Sequence, residues 1–121
     1  MKTVLVIEDN LILRDNACEM LELKGYNAIS AGNGKTGIAS ARTNRPDIII
    51  CDILMPEADG YEVFDALKSD PVTSVIPFIF LTASAHKQDI DDRLGVGSVG
   101  YIRKPFEAKE FFETIEFCLN T

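Results

Sequence analysis

Short apolar runs alternate with amphipathic stretches five times along the chain. The runs fall at 3–7, 27–31, 47–52, 77–82 and 99–102. The first of them, Val4-Leu5-Val6-Ile7, is continuous and rich in β-branched side chains, as a strand buried on both faces should be. Helical periodicity covers about 10–24, 34–44, 60–69, 86–94 and 107–119. Gly25 is placed to close the first helix, and Asp70-Pro71 to stop the third. On the last helix Ala108, Phe111, Phe112, Ile115 and Leu119 share one stripe, a core face, while Phe117 lands nearly opposite its middle.

Alternating β and α segments with short connections predict a parallel sheet covered by helices on both faces. Five strands of this kind fit a flavodoxin-like doubly wound α/β fold, (βα)5, with strand order 2-1-3-4-5. No linker, repeat or low-complexity stretch interrupts the pattern, so residues 1–121 are expected to form a single domain. In such sheets ligands bind beyond the carboxyl ends of the strands, where strand order reverses. Glu8-Asp9 ends the first strand, Asp52 the third and Thr82 the fourth, while Lys104 follows the fifth. Three carboxylates, a hydroxyl and an ammonium therefore converge on one rim. A strand-end polar residue facing water explains any one of these; it does not explain all of them at the same end.

Composition narrows the chemistry. With 12 basic and 19 acidic residues, a net charge of −7, the chain lacks the clustered Lys and Arg that nucleic acid or anionic membrane would need. No apolar run approaches the length of a membrane span, and the first apolar segment is too short for a signal peptide and ends in acids. Cys18, Cys51 and Cys118 lack metal-ligand spacing and read as reduced packing residues of a cytoplasmic protein.

Glu8 and Asp9 are an unfavourable neighbouring pair unless something positive stands among them. Carboxylates converging without a basic excess suit a hard cation such as Mg2+, which takes oxygen ligands and keeps several waters. An Asp beside such an ion can act as a nucleophile toward phosphorus and form an aspartyl phosphate. That reaction needs positive charge and hydrogen-bond donors around the phosphoryl oxygens, which Lys104 and Thr82 are of the right type to supply.

The blocks "VLVIEDN", "PDIIICDILMPEADGYE", "PFIFLTAS" and "GYIRKPF" resemble, in order and spacing, the signature blocks of response-regulator receiver domains, chemotaxis regulators among them. The resemblance covers essentially the whole chain. It implies a phosphorylation-dependent switch of a two-component or phosphorelay system, charged by a sensor histidine kinase or histidine phosphotransfer protein. Matched residue by residue, Asp52 is the phosphoacceptor and Asp9 a direct Mg2+ ligand. Glu8 ligates through water, and the backbone carbonyl of Leu54 completes the set with Asp52. Thr82 and the backbone N–H of Ala83 hold the phosphoryl oxygens, with Lys104 paired to them. Tyr101 is the switch aromatic alongside Thr82, Lys104-Pro105 is a cis peptide, and Met55-Pro56 and Asp59-Gly60 form the loop after the acceptor. The helix over 86–94, the strand over 99–102 and the helix over 107–119 become the face for a downstream target or a phosphorylation-dependent homodimer, with Phe117 upon it. The resemblance covers no effector domain. It also implies no enzyme, beyond slow self-dephosphorylation. Leu54 and Ser84 flank the path of the hydrolytic water, and neither is suited to align one.

Three other patterns carry no chemistry. "GVGSVG" at 95–100 has the spacing of a dinucleotide fingerprint, but it follows a helix and leads into a strand. "GNGKT" at 32–36 lacks the first glycine of a P-loop, because Ile29 stands there. His86, the sole histidine, lies too close to Ser84 in sequence to form a catalytic triad and reads as a surface residue. A haloacid-dehalogenase-like phosphohydrolase is the remaining alternative. It would need a second Asp two residues beyond the nucleophile, where this chain has Leu54.

Overall fold

The computed structural model describes residues 1–82 and 100–120. In chain order the elements are β1 (Thr3–Ile7), α1 (Leu11–Leu23), β2 (Asn27–Ala31), α2 (Gly34–Asn44), β3 (Ile48–Asp52), α3 (Gly60–Lys68), β4 (Phe78–Thr82), β5 (Gly100–Arg103) and α4 (Ala108–Leu119). The strands form one parallel sheet of order β2-β1-β3-β4-β5, the expected doubly wound topology. The helix expected over 86–94 lies outside the described residues.

Period-two alternation sorts each central strand between two cores. Leu5, Ile7, Ile49, Cys51, Phe78 and Phe80 meet Ala41, Val63, Phe64 and Leu67 on the side of α2 and α3. Val4, Val6, Ile48, Ile50, Ile79 and Leu81 meet Ala17, Leu21, Phe111 and Ile115 on the side of α1 and α4. On the first side the rings of Tyr61, Phe64, Phe78 and Phe80 interlock with centroids 4.9–5.7 Å apart. All five residues of β3 are buried, so its continuous apolar run has no polar face to show.

Helix starts follow from caps. Asn10, Asn33 and Asp59 each accept a hydrogen bond from the backbone N–H three residues on, at 2.9–3.1 Å. At Asp59 the Glu62 carboxylate also reaches back to the cap's own N–H, completing a capping box. Gly25 ends α1 at φ +96°, a left-handed conformation that glycine adopts without penalty. Along α4 the expected stripe holds at Phe111 and Ile115, which are buried, with Phe112 and Leu119 packed at its edge. Ala108 departs from it: it is exposed. Phe106, stacked on Phe111 at 4.8 Å, covers that end of the core instead.

The α3–β4 connection is tied down by polar contacts. Lys68 donates to the carbonyls of Ser74 and Ile76, and the buried Thr73 hydroxyl donates to the Leu67 carbonyl. Asp70 accepts from the Val72 N–H and from Arg42 Nε on α2, both at 2.9 Å. The backbone hydrogen bond first, and Arg42 after it, hold the Asp70 carboxyl below its ordinary range. A depressed carboxylate stabilises the fold above its unfolded pKa, and that contribution disappears as pH falls through the lower folded value. The difference in unfolding free energy between wild type and Asp70→Asn should therefore be flat from neutral pH to about 4 and close below it. Urea titrations at a series of pH values read this directly, and a gap unchanged at the lowest pH would contradict it.

Candidate functional site

All five strands run the same way, so their carboxyl ends share one edge. β1 pairs with β3 through Ile7↔Cys51. One step on, Glu8 and Asp52 stand side by side on strands spaced about 4.8 Å apart. Asp9 follows at the start of the β1–α1 turn. Glu8, Asp9 and Asp52 each present a carboxylate oxygen, and the three lie within 4.8 Å of one another. Glu8 is 1% and Asp52 6% exposed, so water reaches neither freely, whereas Asp9 is open to solvent.

Lys104 answers the charge. Leaving β5, it places Nζ 2.6 Å from Glu8 Oε1 and 3.1 Å from Asp52 Oδ1. Burial alone would lower the lysine's pKa. The hydrogen bonds and charges of Glu8 and Asp52 together outweigh it, and the ammonium titrates above its ordinary value. The second oxygen of Glu8 accepts the Asn10 N–H at 3.2 Å. Around Asp9, loss of solvent and then the hydrogen bond and charge of Glu8 push the carboxyl up. A donor set made of carboxylate oxygens, buried on one side and open on the other, suits a hard cation that retains water.

Thr82 closes β4, 3% exposed, and its carbonyl accepts the Lys104 N–H at 2.7 Å. The backbone thus ties the hydroxyl-bearing residue to the ammonium-bearing one. The Lys104-Pro105 peptide is cis. Tyr101 lies on β5 opposite Phe80 and is 36% exposed. Leu54 exposes its side chain two residues beyond Asp52. Ala83, Ser84 and His86 lie outside the described residues, as do residues 95–99 of the glycine-rich stretch.

The loop after Asp52 closes tightly on its own strand. Gly60 donates its N–H to the Ile53 carbonyl at 2.8 Å, and a Cβ at Gly60 would lie 2.5 Å from the Asp52 carbonyl oxygen. No larger residue lets α3 start so near the acid. Glu57, within this loop, sits at φ +70°, a strained conformation for a side chain that is not glycine. Two contacts escaped the reading of the sequence. One is the direct pairing of Lys104 with Glu8, 96 residues apart. The other is Arg14, whose Nη1 donates to the Glu8 carbonyl at 3.0 Å; the sequence signal for it was its position four residues after the Asn10 cap, on the side of α1 that faces the turn.

The family model for the response regulator receiver domain matches residues 4–116. The chain belongs to this family. A polar-differentiation response regulator, DivK, from Brucella anthropi is 38% identical over 119 residues, 98% of this chain and 97% of the relative. Among solved structures, the chemotaxis protein CheY4 of Vibrio cholerae superposes at a TM-score of 0.90 with 27% identity, covering 98% of both chains. The receiver domain of the Pseudomonas aeruginosa sensor histidine kinase PA1611, solved with magnesium in its active site cleft, superposes at 0.88 with 28% identity, covering 99% of this chain and 98% of that one. Receiver domains are signalling switches, and among the described residues of this one the buried polar side chains Glu8, Asp52 and Thr82 gather at the acid rim, with Thr73 the exception. Among the described residues no helix is long and apolar enough to cross a membrane.

Proposed function

We propose that residues 1–121 form a receiver domain in which Asp52 accepts a phosphoryl group from a phosphohistidine on a sensor histidine kinase or phosphotransfer protein. The observation that carries this is Asp52 itself, 6% exposed at the switch point of the sheet and ion-paired to Lys104 at 3.1 Å. One carboxylate oxygen forms the new bond to phosphorus, the P–N bond of the donor breaks, and the departing imidazole takes a proton from solvent. Asp9, Asp52 and the Leu54 carbonyl would hold Mg2+, with Glu8 acting through water, and the bound ion would supply positive charge against the phosphoryl oxygens. Lys104 trades its place between Glu8 and Asp52 for a phosphoryl oxygen, while the Thr82 hydroxyl and the Ala83 N–H donate to the others. Tyr101 follows Thr82, so that β5 and α4, with Phe117 72% exposed upon it, present the changed face to a target protein or to a second copy. Free thiols at Cys18, Cys51 and Cys118 fit a cytoplasmic location.

A phosphohydrolase acting on other substrates is disfavoured by Leu54, which cannot transfer a proton where that chemistry needs an acid. The same residue cannot align water behind the aspartyl phosphate, so the domain loses its own phosphoryl group slowly.

Intact mass after incubation with acetyl phosphate and Mg2+ should show one added phosphoryl group on the wild type and none on Asp52→Asn. Equal labelling of both would place the acceptor elsewhere. Once the donor is removed, the label should decay over minutes or longer and faster in Leu54→Asn; loss within seconds from the wild type would overturn the role given to Leu54.

A further inference from the structure

β1 ends at Ile7, and the carbonyl of Glu8 lies beyond the last pairing of β1 with β3. Glu8 is 1% exposed, so water cannot serve that carbonyl, and a buried carbonyl without a donor is costly. Its donor is a side chain from the next element, Arg14 Nη1 at 3.0 Å. The Glu8 carbonyl and the Asp9 N–H belong to one rigid peptide plane, so whatever fixes that carbonyl also fixes the direction in which Asp9 leaves the strand. Arg14 is itself anchored, since its backbone N–H donates to the carbonyl of the α1 cap, Asn10, at 2.9 Å. On the other side the Glu8 N–H is held by the Ala31 carbonyl at 3.1 Å. The guanidinium lies against Gly32, where a Cβ would come within 2.6 Å of Nη1.

We propose that Arg14, seated in the space that Gly32 leaves open, is a positioning residue that orients the Glu8–Asp9 peptide for cation binding. The proposal rests on the Mg2+ reading above. Arg14 does not ligate the ion; it fixes the aim of the carboxylates that do. Gly32 offers an unusually clean probe. Its φ lies outside the left-handed region, so alanine fits the backbone, and among the described residues the close contacts of the added methyl are with the far end of one arginine side chain. Gly32→Ala therefore evicts the guanidinium from the carbonyl while leaving the rest of the fold in place.

Mg2+ binding to the unphosphorylated protein, measured by isothermal titration calorimetry, tests this, with urea unfolding in the absence of Mg2+ as the control for folding. Arg14→Gln and Gly32→Ala should each raise the Mg2+ Kd about tenfold, the size of effect seen when a residue that orients a metal ligand is removed. The double variant should bind no more weakly than the weaker single, because both changes remove one contact. Arg14→Gln and Gly32→Ala should remain cooperatively folded and lower the urea midpoint to the same modest extent, because each leaves the buried Glu8 carbonyl without its donor. Kd values within about twofold of wild type, tighter binding, or losses that add in the double variant would overturn the role of Arg14. A wild type that binds no Mg2+ would instead overturn the metal reading on which it rests.

Discussion

The ammonium of Lys104 between Glu8 and Asp52 is the contact on which the site depends. Parallel pairing in register brings two carboxylates to adjacent strand ends, and burial keeps water from separating their charges. Two like charges about 4 Å apart repel by about 4 kcal/mol at the effective dielectric of a partly buried site. An ammonium 2.6 and 3.1 Å from the two acids turns that repulsion into attraction. Exposed ion pairs contribute little, but a buried acid deprived of its partner is strongly destabilising. The sheet can therefore keep acids at its rim only with a cation among them.

That requirement makes the rim a place of exchange. Adding a cation or a phosphoryl group to Asp52 alters what Lys104 should bind, and Lys104 is not an isolated side chain. Its backbone N–H is bonded to the Thr82 carbonyl, it follows β5 directly, and β5 leads into α4. On the proposed function, these short contacts are the route by which a charge change at the end of β3 reaches the ends of β4 and β5. Tight packing of Gly60 against the Asp52 backbone prevents the acid from relieving the change by moving away.

Much of this was legible from local signals. Apolar runs and helical periodicity located every described element to within a residue or two, because burial on both faces of a strand and the apolar stripe of a helix are written in a few neighbouring residues. Parallel topology then placed Glu8, Asp9, Asp52, Thr82 and Lys104 on one edge. What stayed hidden depends on contacts between distant segments. The Lys104–Glu8 pair and the seat of Arg14 against Gly32 exist only once the sheet is assembled. Ala108 was placed in the core by periodicity alone, and Phe106, just outside the helix, covers that part of the core. The left-handed backbone at Glu57 and Arg45 is likewise imposed by surroundings that neither residue's own preference would select.

The most direct measurement is the unfolding free energy of Lys104→Met against wild type, with and without Mg2+. Removing the ammonium leaves Glu8 and Asp52 facing each other unscreened, and the loss without Mg2+ should be about 3 kcal/mol at neutral pH. Millimolar Mg2+ should restore much of it, with a larger stabilising increment in the variant than in wild type, because the ion no longer competes with an ammonium. A variant as stable as wild type without Mg2+, or a loss that Mg2+ leaves untouched, would contradict the account.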